Sequence, residues 1–587
     1  MSKALAPWRG AQGAAAIGVV VVMLVVRGRL LAGSFFNQDD FYMTGRAYRS
    51  DLTWDYLFSD FAGHVNPFQQ LALWLVAHDA PYDWALIATA ILAVDLAATV
   101  MVWLILTRLL GGRWSRVVLL AVFAWAPITL VPTLWWSAAM FLWPHVLCSL
   151  VAVWLLIRWR QGDGRGLVNA TGIVLATATG LLWHERAVLI VPLLLGVAVA
   201  LADEASGWRR ITAALVRFRW LWLALLAAAV GFLAVHAVLT DVEGGGGTTS
   251  QKLDVSWAYV GKNVVPGLVG GPWAGHVQGG AVVPATWVTV VSGLLVLAVI
   301  GLLLWRGGPA RRWGVAVFVG YVVADLALLL SGRSAFGSII GLDPRYSSDT
   351  LHAAVLCAAL CLRGSTAWPA PTTRRGRGLA VGGLLTAYGV AAVAGTALLV
   401  PQFQNVADRA FVTNFRNSLA ADPTQVVFDG PAPPELVLPL VGDDNRYSVI
   451  FGPLPELPAF DEPSARMRVV GEDGTLHPAE LAGFVSSRRG PSRDCGYALS
   501  RGPVDVRLRA PVDGRLLLRV RYYTGAESTV TVGVGDWQEK FLARRGPNEV
   551  WLVLPDLPGD VDRIELGGDG TSTVCVTEVA AGLPEAP

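Results

Sequence analysis

Long runs of about 20 residues with almost no charge constrain this chain more than any other feature. "LIATAILAVDLAATVMVWLIL" and "LWLALLAAAVGFLAVHAVL" are two of them. A run of that length spans a hydrocarbon core of about 30 Å. Inside that core the backbone finds no water to bond, so each run must close its own hydrogen bonds as a helix. Charged residues make up only 15% of the 587 residues, against roughly 25% in average soluble domains. These features read as a polytopic α-helical membrane protein. The formal net charge of +2 is uninformative, and the arginines sit in short loops with no basic stripe that would suggest nucleic acid, so no nucleic-acid partner is expected.

The first run, near Ala14 to Leu31, has no small-residue cleavage site after it and reads as an uncleaved span. Basic loops orient the rest, because Lys and Arg collect on the cytoplasmic side. Such loops are "RLLGGRWSR" at Arg108, "RWRQGDGR" at Arg158, "GWRRITAALVRFR" at Gly207, "RGGPARR" at Arg306 and "RGSTAWPAPTTRRGR" at Arg363. For all to share one side, "NPFQQLALWLVAHDAPY" from Asn66 must not cross, and it reads as an interfacial or re-entrant helix. About 11 transmembrane helices result, at about 11–31, 84–107, 116–133, 139–158, 167–183, 186–202, 219–239, 286–305, 313–331, 350–362 and 379–400. The N-terminus is then cytoplasmic and the C-terminal part extracytoplasmic, in a multi-pass plasma-membrane protein. Arg27 and Arg29, near the outer end of the first span, are expected to snorkel to the interface.

The organisation is a multi-span domain over 1–400 and an exoplasmic domain over 401–587. "QNVADRAFVTNFRNSL" reads as an amphipathic helix, and "VVF" and "YSVIF" as short strands. From about 490 the pattern has period two, as in Leu518, Val520 and Tyr522 against Arg519 and Arg521. That alternation predicts a β-sandwich or jelly-roll-like module. Trp537 and Trp551 either stack on sugar rings or close its core. Cys495 and Cys575 are placed in an oxidising compartment and are expected to pair as a disulfide. Cys148, Cys357 and Cys361 lie in apolar spans and read as small hydrophobes.

The unusual chemistry falls in the loops expected outside. "FFNQDDFYMTGRAYRS" places Asp39 and Asp40 where the chain leaves the first span. The pair is either a polar cap or a general base with a partner, since a base must come within about 3 Å of the proton it removes. "GHVNPF" holds His64, a candidate contact to an acceptor or a phosphate, beside Asn66 as a helix cap and Pro67 at the first helical position. "WHER" sets His184, Glu185 and Arg186 between two apolar runs, as an internal Glu–Arg pair or as a substrate contact. "DPRYSSD" offers Arg345 and Tyr346 for a phosphate, with Asp343 and Asp349 as alternative structural partners. Trp135 and Trp136 read as an interfacial aromatic belt. "EGGGGTTS" lacks the lysine of a phosphate loop and reads as flexible. No metal-ligand spacing stands out, so no cofactor is assigned, and a divalent metal is neither indicated nor excluded.

The acidic pair in the first outer loop, helices lying along the membrane and a β-rich exoplasmic tail resemble the GT-C glycosyltransferases. The layout is similar to the actinobacterial cell-envelope arabinofuranosyl- and mannosyltransferases. The resemblance implies Asp39 and Asp40 as catalytic carboxylates. It also implies a polyprenyl-phosphate sugar donor, a glycan or lipid acceptor, and inverting transfer on the outer face. Two other readings stand beside it. One is a transporter or flippase of lipid-linked sugars, for which Asp95 and Asp325 inside apolar runs speak. The other is a non-catalytic envelope scaffold.

Overall fold

The structure, a computed structural model, describes residues 6–202, 207–240, 246–305, 308–363, 374–500 and 502–586. The chain divides into two compact units. Met1–Asp40 with Ser50–Val406 form the first, and Phe41–Arg49 with Ala407–Pro587 form the second. The short segment after Asp40 thus groups with the C-terminal unit, which the composition of the chain does not reveal.

The first unit is helical. Among the described residues nine helices are long and apolar enough to cross a membrane. They are Gly10–Gly33, Trp84–Leu110, Ser115–Thr133, Trp136–Arg160, Gly166–Trp183, Arg219–Leu239, Thr286–Trp305, Arg311–Phe336 and Gly378–Ala421. The last breaks after Phe403, and its continuation Val406–Ala421 belongs to the second unit from Ala407 on. The other two expected spans are shorter. Thr350–Arg363 has 14 residues. The segment expected at 186–202 opens as a 3₁₀ helix, Glu185–Leu189, and continues as the 11-residue helix Ile190–Ala200. Eleven residues rise only about 17 Å. Most of its side chains are buried by other helices, so its length need not match the lipid.

Contacts sort the helix ends into two groups. Arg108 bonds Asp163 at 2.6 Å, Arg116 bonds Gln12 at 2.6 Å, and Arg160 donates to the Leu201 carbonyl at 3.2 Å. These basic turns therefore meet at one end of the unit. At the other end Ser137 N–H donates to Asp40 at 2.8 Å, and His64 lies 2.8 Å from Glu185. The Asn66 segment forms helix Pro67–Asp79. It comes after His64 and precedes Tyr82, whose ring meets Phe36 at 5.4 Å. Both flanks lie at the end holding Asp40, so this helix does not cross. Asn66 precedes it, but its side chain makes no capping bond.

Arg27 does not snorkel. It is buried and pairs with Asp95 at 2.9 Å, with Thr129 Oγ1 at 2.6 Å. A neighbouring carboxylate within the unit removes the reason to reach for the interface. "EGGGGTTS" is structured where it is described: Thr248 caps helix Thr249–Trp257 with a reciprocal bond to Gln251. Residues 241–245 of that loop lie outside the described residues.

In the second unit, helix Val406–Ala421 buries Phe411, Phe415 and Leu419 and leaves Val406 exposed. The expected strand "YSVIF" is instead a helical turn, Tyr447–Ile450. A short apolar run fits either state by pattern alone. Its Phe451 stacks on Phe415 at 4.0 Å. Gly45 lets the backbone of Phe41–Arg49 approach closely, for a Cβ there would sit 2.2 Å from the Val449 carbonyl oxygen.

Two four-strand antiparallel paths then face each other. One runs Gly546–Val553, Leu517–Thr524, Val574–Glu585, Glu480–Ser486, with Tyr497–Leu499 also on the third strand. The other runs Trp537–Ala543, Ser528–Val534, Leu557–Gly568, Gly502–Gly514. Leu518, Val520, Val530, Val532, Leu552 and Val576 meet between them as one core. This is a β-sandwich, built from the period-two alternation. Trp551 is only 5% exposed and packs in a second cluster with Phe428 and Met467, so it is no sugar platform. Trp537 leans on the sandwich core. Cys495 and Cys575 are disulfide-bonded, with Cα atoms 4.7 Å apart.

Candidate functional site

The acidic pair opens helix Asp39–Tyr48, and its two members face different surroundings. Asp40 is fully buried. One carboxylate oxygen accepts the Asn37 N–H at 2.9 Å, and the other accepts the Ser137 N–H at 2.8 Å, in the first turn of Trp136–Arg160. It ties the segment after the first long helix to a helix N-terminus, where a carboxylate is favoured. Burial pushes Asp40 up to about 7, against the two N–H donors that favour its ionised form. Asp39 keeps 30% of its side chain exposed and lies 3.7 Å from Arg345. Burial raises its pKa above the usual carboxylate range, opposed first by Arg345 and then by Arg333.

Arg345 is held from three sides. Its Nε donates to Asp343 at 2.8 Å, and Asp343 also caps its backbone N–H at 2.9 Å. The Trp135 ring lies beneath, with the guanidinium carbon 3.9 Å from the ring centre. Trp135 and Trp136 are 5% and 4% exposed, so neither belongs to an interfacial belt. The Trp135 face instead supports a cation. Burial lowers the Arg345 pKa, but Asp343 and its other partners outweigh that and the guanidinium stays charged.

Tyr346 gathers three guanidiniums. Arg186, Arg333 and Arg345 lie 5.5, 5.7 and 5.7 Å from its ring centre. Arg186 and Arg345 have carboxylate partners. Arg333 bonds the Ala62 carbonyl at 3.0 Å and His64 Nε2 at 2.6 Å, and among the described residues no carboxylate lies within ion-pair distance of it.

His64, His184 and Glu185 bring their ligand atoms within 4.8 Å of one another. Two histidines and a glutamate are a known zinc donor set. Here His64 and His184 Nδ1 are hydrogen-bonded, while Glu185 Oε2 is buried without a hydrogen-bond partner among the described residues. Arg333 always donates, so His64 Nε2 accepts and Nδ1 carries the proton that bonds Glu185 at 2.8 Å. His184 Nδ1 accepts the Arg186 N–H at 3.1 Å. A metal on His64 Nδ1 would displace that proton and set a cation beside Arg333. The hydrogen bonds link His64 to Glu185 and Arg333, and His184 to Arg186.

The predicted residues therefore converge. Asp39, Arg345, Tyr346, Arg186, His64, His184 and Glu185 form one continuous set of contacts in the first unit. Asp40 stands behind it as a buried anchor. Glu185 and Arg186 do not pair with each other: Glu185 turns to His64, and Arg186 turns to Asp325 and Asp349 at 3.6 and 3.3 Å. Asp95 pairs with Arg27, whereas Asp325 shares Arg186 with Asp349. Sequence reading missed Arg333 and the support given by Trp135. A lone arginine at a span's end resembles an orientation signal, and its role depends on Ala62 and His64, some 270 residues away in the chain.

No family model matches this chain, and no curated protein matches it. Among solved structures it is similar to arabinofuranosyltransferase AftD from Mycobacteria, at 13% identity over 96% of this chain, with a TM-score of 0.39. The chain spans 58% of the length of that structure. It is also similar to the Archaeoglobus fulgidus oligosaccharyltransferase, at 12% identity over 70% of this chain and 60% of that one, with a TM-score of 0.32. Similarity at these TM-scores assigns a role to no residue of this chain.

Proposed function

We propose that the protein is a membrane glycosyltransferase that moves a sugar from a polyprenyl-phosphate donor to a glycan or lipid hydroxyl on the outer face. The observation that carries this is a partly exposed carboxylate beside a cluster of guanidiniums, one of them without a carboxylate partner among the described residues, at the loop end of a membrane-spanning unit. A lipid-borne phosphate presents its sugar at that depth. Asp39 removes the proton from the acceptor hydroxyl. The freed oxygen attacks the anomeric carbon from the side opposite the phosphate, the bond from that carbon to the phosphate oxygen breaks, and the configuration inverts. Arg333 and Arg345 receive the charge that grows on the leaving phosphate. The Trp135 face and Asp343 hold Arg345 in place, so its fork is set before the donor arrives. Asp40 fixes the loop that carries Asp39.

The test is single-turnover transfer from a polyprenyl-phosphate sugar by purified protein in lipid. Asp39→Asn is expected to lower the rate by about 10²–10⁴, the usual contribution of a general base. Near-normal turnover in that variant would contradict the assignment.

A further inference from the structure

Away from the Asp39 face, the first unit buries more negative than positive charge at one point. Asp325 and Asp349 are 0% and 2% exposed and share one guanidinium, Arg186, at 3.6 and 3.3 Å. The hydroxyls of Tyr259 and Tyr321 donate to Asp325 and Asp349, which adds bonds but no charge. The contrast lies in the same unit, where Asp95 has Arg27 to itself. A buried charge without a counter-charge is strongly disfavoured.

Two atoms of this cluster are buried without a hydrogen-bond partner, Asp325 Oδ1 and His145 Nε2. His145 is 2% exposed. Its Nδ1 lies 3.0 Å from the Phe141 carbonyl, which can only accept, so Nδ1 carries a proton. Nε2 then faces Asp349 Oδ2 at 3.7 Å. If it is neutral, two acceptors oppose each other there. His352, the next ring, has no such conflict: its Nδ1 donates to the Asp349 carbonyl, and Ser149 donates to its Nε2 at 3.0 Å. On the other side of His145 lie the His184 ring, stacked at 6.2 Å, then Glu185, which is paired with His64. None of these neighbours supplies the missing positive charge.

We propose that Arg186, Asp325, Asp349 and His145 form a proton-binding site. It takes up one proton from water, with two seats, His145 Nε2 and Asp325 Oδ1. On His145 the proton completes two ion pairs, His145 with Asp349 and Arg186 with Asp325. On Asp325 it leaves Arg186 paired with Asp349 alone. Either way the cluster becomes neutral, and no other bond is made or broken. The two seats differ in which carboxylate Arg186 serves, and Arg186 also faces the Tyr346 ring. The proton therefore sets the position of one of the three guanidiniums around that ring.

The experiment uses the full chain in detergent micelles and no activity readout, so its outcome is independent of the transferase reading. Histidine ¹⁵N spectra and infrared spectra are recorded at about pH 8.5, two units above the ordinary histidine pKa of about 6.5. The expected result is one imidazolium that vanishes in His145→Gln, or one protonated carboxyl that vanishes in Asp325→Asn. A wild-type protein with neither signal overturns the proposal, and that holds even if a variant fails to fold. A signal that persists in its own variant overturns it as well.

Discussion

Asp39 and Asp40 are neighbours in sequence, yet one meets two backbone N–H groups in a dry pocket and the other meets a guanidinium near water. That difference leads to separate predictions. Asp40 has a folded pKa of about 7 against 3.8 unfolded. Its raised value means that stability is full below the unfolded pKa and is lost as pH rises through about 7. Thermal unfolding in detergent should therefore show a Tm that declines as pH rises from about 4 to about 7 and levels off above that, and Asp40→Asn should flatten that slope. Asp40→Asn also replaces one acceptor by a donor, which costs about 1–3 kcal/mol at any pH. An unchanged slope would count against the buried acid. Arg333 is expected to hold the donor phosphate more directly than Arg345, because two carboxylates already compete for Arg345. Donor-binding measurements should show Arg333→Ala weaker than wild type by at least tenfold and Arg345→Lys weakened less. Equal affinity in all three proteins would remove both from the phosphate site. At this scale the sequence was informative about residue types at span ends. It was silent on which carboxylate is buried, because that depends on Ser137, some hundred residues away.

Elements obeyed their local patterns where one pattern dominated. Period-two alternation at Leu518–Tyr522 and Val530–Val534 became sandwich strands, and hydropathy located nine long helices among the described residues. The misses occurred where the pattern was short or tertiary burial intervened. "YSVIF" had too few residues to separate strand from helix. Ile190–Ala200 is too short to span, but its neighbours bury it. The disulfide gives an element-scale prediction. It closes a separation of 80 residues between a turn and the last sandwich strand, worth about 4 kcal/mol by chain entropy. In denatured, unreduced protein three of the five cysteines should titrate as thiols, Cys148, Cys357 and Cys361. Five titrating thiols would refute the bond. Cys495→Ser should lower the unfolding temperature of the C-terminal unit, and an unchanged temperature would show that the bond adds nothing.

For the molecule as a whole, the turns at Arg108 and Arg158 meet at one end of the first unit, and Asp40, Ser137, His64 and Glu185 at the other. Residues 306–307 and 364–373 of the basic loops lie outside the described residues. Which end faces outward is set by the positive-inside rule, and we expect reporter fusions after Arg113 to read cytoplasmic and those after Pro401 extracytoplasmic. A cytoplasmic signal at the second position would put the Asp39 face on the wrong side for the transfer proposed. The convergence of Asp39, Arg345, Tyr346, Arg333, His64 and Glu185 was legible only as separate loops, since no spacing in the chain encodes which loops meet. The central claim, sugar transfer from a polyprenyl phosphate with Asp39 as base, is tested most directly in a strain lacking this chain. Its envelope glycans and polyprenyl-phosphate sugars are profiled together, with and without restored wild-type or Asp39→Asn protein. Loss of one sugar linkage and accumulation of one lipid-phosphate sugar are expected, both reversed by the wild-type chain and neither by Asp39→Asn. An unaltered profile, or full rescue by Asp39→Asn, would contradict the claim.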